Sequence, residues 1–169
     1  MILKTDRLSL RPQQLADAPA LFAILGDAHA MRFWNRSTIS RLAVVEELMR
    51  EQQAAMADGV CRYWTLVHEE DAIGSIDLSL IRDGSAELGF LLRPDRWGAG
   101  LASEAVRAVI THGFGALALT RLAAAVQTEN RAAVRVLEKN GFRLVESRSV
   151  RLADGQSRNC GFYLRERGP

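Results

Sequence analysis

Between Arg93 and Ile110 the chain reads RPDRWGAGLASEAVRAVI, and Gly98-Ala99-Gly100 stands directly before a long helical periodicity. A helix start ordinarily takes Ser, Thr, Asp or Asn, and glycine inside a helix costs about 1 kcal/mol relative to alanine. Two glycines here imply a sharp bend or a close approach to the backbone. The preceding AELGFLL, residues 86–92, is strand-like. Strand, glycine loop and helix in succession is the setting of a backbone phosphate site, because a helix N-terminus offers N–H groups without acceptors and partial positive charge. Arg93 or Arg96 can add a charge-assisted contact. The loop has no lysine followed by Ser or Thr, so it is not a nucleoside-triphosphate loop. It also lacks the third glycine and the βαβ unit of a dinucleotide site. A glycine turn packed tightly against Trp97 is an equally weighted reading of the loop alone.

The rest of the chain orders itself around that loop. RLSLRP alternates Leu8 and Leu10 with polar residues and reads as a strand ending at Pro12. Leu15, Ala18, Leu21, Phe22 and Leu25 recur at helical spacing, and Gly26-Asp27 closes that helix. A second amphipathic helix starts after Ser40, its expected cap, and stops at Gly59. RYWTLVHE and IGSIDLSLI are strands, the latter with Ile76, Leu78 and Leu80 on one face and Ser75, Asp77 and Ser79 on the other. EEDA and RDGS turn the chain. RLAAAVQ is a short strand, apolar enough to be buried on both faces. TENRAAVRVLEKNGF is a helix with Asn140-Gly141 as left-handed cap. A final hairpin turns at ADGQ, before a solvated tail, RERGP. The order β-α-α-β-β-β-α-β-α-β-β makes one α+β domain over residues 1–169, around one sheet.

A chain of 169 residues suffices for such a core, and a net charge of +2 is too small to argue for nucleic acid. Cys61 and Cys160 stand far apart in no CxxC pattern, so no metal site is expected. No apolar run reaches membrane-spanning length, and a cytoplasmic protein is the default expectation.

With TDRLSLRP, MRFW, AELGFLLRPDRWGAGLASEA and ENRAAVRVLEKNGFRL in that order, nearly the whole chain resembles the GNAT superfamily of acyl-CoA-dependent N-acetyltransferases. Within it, the likeness is to ribosomal-protein alanine N-acetyltransferases of the RimJ/RimL type. The resemblance implies the GNAT fold, a mixed, mostly antiparallel sheet flanked by about four helices. It implies acetyl-CoA as donor and an amine as acceptor, either a protein N-terminus or a small molecule. A homodimer is compatible with it. The diphosphate loop of the family maps to Arg96, Trp97, Gly98, Ala99, Gly100, Leu101 and Ala102. Asp95 stands where the family has glutamine or arginine. Phe90, Leu91 and Leu92 map to the strand that receives the pantetheine arm, Leu92 N–H to the oxyanion donor, and Asn130 to a cofactor contact that doubles as a helix cap. Trp34 and Asn35 fall in the region that frames the acceptor.

Acetyl transfer to an amine needs a base for the ammonium, a donor for the developing oxyanion and an acid for the leaving thiolate. Glu87, on the strand entering the loop, is the first candidate base. Its apolar neighbours predict partial burial and a raised pKa. Asp77 on the preceding strand is the reserve. The acid is missing from its usual places: Leu137 stands where the family has tyrosine, and Ala133 where Rim-type enzymes have serine. That absence leaves a second reading, a non-catalytic acyl-CoA-binding regulatory module. A nucleotide-binding protein unrelated to acyl transfer is a third.

Overall fold

A computed structural model describes residues 1–153 and 155–168. Position 154 of the expected ADGQ turn and the last residue of the tail lie outside the described residues. The elements run β1 Leu3–Lys4, β2 Ser9–Pro12, α1 Ala18–Leu25, α2 Leu42–Ala57, β3 Arg62–His68, β4 Asp71–Arg82, β5 Ser85–Leu92, α3 Leu101–Phe114, β6 Arg121–Gln127, α4 Arg131–Lys139, β7 Arg143–Arg151 and β8 Ser157–Glu166. The strands form one eight-stranded sheet in the order β1-β2-β3-β4-β5-β6-β8-β7. Every pairing is antiparallel except β5 with β6.

The sheet has two unlike faces. On one, Trp64, Leu66, Ile76, Leu78, Leu88 and Leu92 pack under α3 and α4, which bring Ala105, Val106, Val109, Ile110 and Leu137. The buried positions of α3 recur every three to four residues, the stripe of a helix lying on a core. On the other face α1 and α2 build a second cluster from Leu21, Ile24, Leu25, Val45 and Met49, joined from the sheet by Leu91. The sheet residues beneath this second layer are otherwise polar. Tyr63 stands opposite Asp77 and Thr65 opposite Ser75 across β3 and β4. Glu87 faces Ser79 and Gly89 faces Asp77 across β4 and β5.

The two central hairpins turn on left-handed pairs, Glu69 (φ 49°) with Glu70 (φ 71°) and Asp83 (φ 48°) with Gly84 (φ 70°), the geometry that matches strand twist. Four local expectations are corrected. Leu80 does not share a face with Ile76 and Leu78: the register shifts between Ser79 and Arg82, Leu80 takes φ 50°, and its side chain is 54% exposed. A bulge adds one residue to the count, so Ile81 packs on the core instead. Ser40 does not cap α2, which begins at Leu42 with Arg41 before it. Asn140 keeps φ −97° and Gly141 alone adopts the left-handed cap, at φ 78°. β6 alternates between buried and more open positions rather than burying both faces. The short strand β1, with no periodicity of its own, pairs Leu3 with Leu10.

Candidate active site

β5 and β6 pair only at Ser85 with Arg121, Ala86 with Leu122 and Glu87 with Ala123. Beyond Glu87 they part. β5 continues along β4 as far as Leu92 opposite Gly74, while β6 continues along β8 to Gln127. The far end of β6 is held by the link after α1, because the Gln127 amide donates to the carbonyls of Phe33 and Trp34 at 3.0 and 3.4 Å. The Arg93 N–H donates to Ile73 O at 2.8 Å, on the β4 side. Strand alternation then turns the Phe90 and Leu92 amides the other way, into the gap that β6 has left. Trp97 folds back over this end, its indole N–H donating to Leu92 O at 2.9 Å.

The glycine loop closes the same end of β5. Gly98 and Gly100 take φ 77° and 81°, a conformation that costs a residue with a Cβ about 1 kcal/mol or more. Gly100 is the residue before α3, and among the described residues no side chain caps that helix. The N–H groups of Leu101, Ala102 and Ser103 therefore lack the acceptors that a cap would give them. Among the described residues other than the chain neighbours, nothing lies within 4 Å of a Cβ built on Gly98, and only Arg7 Nη2, at 3.6 Å, lies that near one built on Gly100. Trp97 itself is 44% exposed, its ring 4.9 Å from that of His29. Arg93 and Arg96 turn toward neighbouring acids. Arg93 Nε meets Asp95 at 2.6 Å, and Arg96 Nη2 meets Asp71 at 3.2 Å. Asn130 opens α4 just past the end of β6, where its side-chain oxygen accepts from the Ala133 N–H at 3.1 Å.

The carboxylates sit on the α1–α2 face. Glu87, at the point where β5 and β6 part, is exposed, so the partial burial expected from its apolar neighbours is absent. The side chains flanking it in sequence, Ala86 and Leu88, face the opposite side of the sheet. Asp77 is the more enclosed of the two, half-buried where Glu87 is exposed. Its carboxyl lies over Gly89, where an added Cβ would stand 2.7 Å from Oδ1. Burial pushes Asp77 up to about 7; a hydrogen bond with Ser79 opposes this and the charge of Glu87 adds to it. Tyr63 opposite is raised to about 12, by burial and then by the charges of Asp77 and Cys61. Burial and Asp77 also raise the Cys61 thiol. Trp34 packs on the α1–α2 cluster beside the end of β6, and Asn35 is exposed. Among the described residues no group of three or more His, Cys, Asp or Glu is placed to hold a metal, and no helix is long and apolar enough to cross a membrane.

Two features escaped the sequence reading. One is the enclosure of Asp77, the reserve base, for which Gly89, a glycine inside a strand that marks close approach, was the unused signal. The other is a tie from the N-terminal turn, Thr5 and Arg7, to Glu104 and Ala99. Nothing in the local sequence announces it.

A family model described as an acetyltransferase (GNAT) domain matches residues 7–143. An uncharacterized N-acetyltransferase, p20 of Bacillus licheniformis, is 30% identical over 76% of this chain and 74% of its own length. Among solved structures, RimL, a ribosomal L7/L12 alpha-N-protein acetyltransferase in complex with coenzyme A, superposes with a TM-score of 0.86 at 19% identity, over 98% of each chain. A spermidine N-acetyltransferase from Vibrio cholerae, in complex with CoA and spermine, gives 0.85 at 20% identity over 96% of each. At those identities the two structures share the fold. The chain belongs to the GNAT family and is an acetyltransferase whose acyl donor is acetyl-CoA.

Proposed function

We propose that the protein transfers the acetyl group of acetyl-CoA to a primary amine, a protein N-terminus or a small molecule, by direct attack with both substrates bound. The observation that carries this reading is the Asp77 carboxyl. It lies over Gly89 and beside the gap between β5 and β6, with a pKa raised to about 7. A carboxylate in that range is poised to take a proton near neutral pH.

The residues present fit the donor. Gly98 leaves its space open and Gly100 nearly so, and the first turn of α3 has no side-chain cap. The N–H groups of residues 98–102 would hold the diphosphate, and Phe90, Leu91 and Leu92 would line the pantetheine arm. Arg96 and Asn130 border this path. When bound, acetyl-CoA supplies an activated acetyl group. Asp77 removes the proton from the incoming ammonium, the amine nitrogen forms the amide bond as the thioester C–S bond breaks, and solvent water returns a proton to the leaving thiolate. Glu87, exposed at the mouth of the gap, holds that ammonium by charge and serves as the alternate base. The Leu92 N–H donates to the oxygen that gains negative charge, a contact of the kind whose removal costs 10²–10³ in rate. Trp34 and Asn35 shape the acceptor side.

One observation favours the non-catalytic reading. The two positions where relatives carry an acid offer none, since Leu137 is 1% exposed in the core and Ala133 belongs to the Asn130 cap. A screen with acetyl-CoA against N-terminal Ala, Ser and Met peptides, polyamines and aminoglycosides decides between them. Transfer to any primary amine that is lost in Asp77→Asn supports the enzyme. Coenzyme A binding by calorimetry with no transfer to any acceptor supports the binding module.

A further inference from the structure

The N-terminal turn reaches across the molecule to the glycine loop. Arg7 Nη1 donates to Ala99 O at 2.9 Å, Arg7 Nε donates to Glu104 Oε2 at 2.8 Å, and Nη2 stands 2.6 Å from the same oxygen. The Arg7 backbone N–H donates to Glu104 Oε1 at 2.9 Å, and the Thr5 hydroxyl donates to that oxygen at 2.5 Å. The turn carrying these groups is closed by Thr5 N–H to Leu8 O and Leu8 N–H to Thr5 Oγ1, both at 2.9 Å. Glu104 is charged: burial alone would raise its pKa, and the bonds from Thr5 and Arg7 bring it below its ordinary value.

Two consequences follow from elementary geometry. A trans peptide points its C=O and N–H in opposite directions. Holding Ala99 O toward Arg7 therefore fixes the Gly100 N–H on the far side of that peptide, away from Arg7. Glu104 lies in the first turn of α3, where a carboxylate competes with any other anion for the positive end of the helix. Four donors hold it against the N-terminal turn instead.

We propose that Arg7 is a positioning residue for the diphosphate of coenzyme A. It orients the Gly100 amide and holds the Glu104 charge aside. This rests on the reading of residues 98–102 as the diphosphate loop. Arg7 itself is assigned no contact with the ligand.

The test uses full-length wild type, Arg7→Gln and Arg7→Lys. Coenzyme A binding is measured by calorimetry. Kinetics compare acetyl-CoA with S-acetylpantetheine, which keeps the thioester arm and lacks every phosphate. The expected result for Arg7→Gln is a Kd for coenzyme A raised about tenfold, the size of one well-placed hydrogen bond. KM for acetyl-CoA rises in step, while kcat at saturation and kcat/KM for S-acetylpantetheine stay at wild-type values. Arg7→Lys keeps the charge but loses the planar fork, so its Kd rises less. Should Arg7→Gln fail to fold, Arg7→Lys carries the same comparison. Unchanged coenzyme A affinity in a folded variant, or an equal loss with both donors, overturns the proposal and leaves the loop reading standing. A wild type that binds no coenzyme A overturns the loop reading, and this proposal with it.

Discussion

Two aspartates on the α1–α2 face of the sheet flank β3 and meet opposite fates. Asp17, 4% exposed, receives the Arg11 guanidinium at 2.5 and 2.8 Å, the Thr65 hydroxyl at 2.6 Å and the Gln14 N–H at 2.9 Å. Burial alone would raise its pKa, but those bonds outweigh it and the pKa is lowered. Asp77, on β4, stands opposite Tyr63, one alternation along β3 from the Thr65 that bonds Asp17. It has Ser79 for a hydrogen bond and an acidic neighbour, Glu87, and burial prevails. The same side chain is a fastener where a cation meets it and a proton acceptor where none does.

The largest expected effect sharpens that contrast. Asp77→Asn keeps the shape and removes the base, so acetyl transfer falls by about 10²–10⁴ while calorimetry still finds coenzyme A bound. An Asp77→Asn enzyme as fast as wild type would move the base to Glu87. Next comes Asp17→Ala, which strands Arg11 and Thr65. Leaving the buried Thr65 hydroxyl and the part-exposed Arg11 without their acceptor costs about 1–3 kcal/mol, read as a lowered urea midpoint, with kcat per folded molecule unchanged.

The two aspartates also bend stability against pH in opposite senses. The Asp17 pKa is lowered in the fold, so its contribution is present above the unfolded value, near 3.8, and is lost as pH falls through the folded one. The Asp77 pKa is raised from 3.8 to about 7, so stability is fullest below 3.8 and is lost as pH climbs through about 7. Asp77→Asn is therefore more stable than wild type at pH 8, by about 4 kcal/mol, read as a raised Tm, and the gain nearly vanishes at pH 4. The smallest effect is Gly89→Ala. Its methyl would stand 2.7 Å from Asp77 Oδ1, and displacing a base by a fraction of an ångström costs about tenfold in kcat. If Gly89→Ala leaves kcat alone, the lean of Asp77 over Gly89 has no bearing on catalysis.

Much of the fold was legible because it is local. Period-two alternation gave β4 as far as Ser79, turn residues gave both central hairpins, and Gly141 gave the end of α4. The bulge at Leu80 was hidden because an inserted residue looks like any other in a strand pattern. The candidate site was legible where it is backbone: Gly98 and Gly100 announced an open loop before α3. It was illegible where side chains meet across distance. The partial burial of Asp77 comes with the layer that residues 18–57 lay over the sheet, and Arg7 meets Glu104 across 97 positions of sequence. Glu87 drew attention through its apolar neighbours, but in a strand immediate neighbours face the opposite side.

The most direct test of Asp77 as base is the pH dependence of kcat/KM for the amine in wild type and Asp77→Asn. The expected result is a wild-type limb that falls as pH drops below about 7 and is missing from the residual activity of Asp77→Asn. The same limb persisting in Asp77→Asn would contradict it.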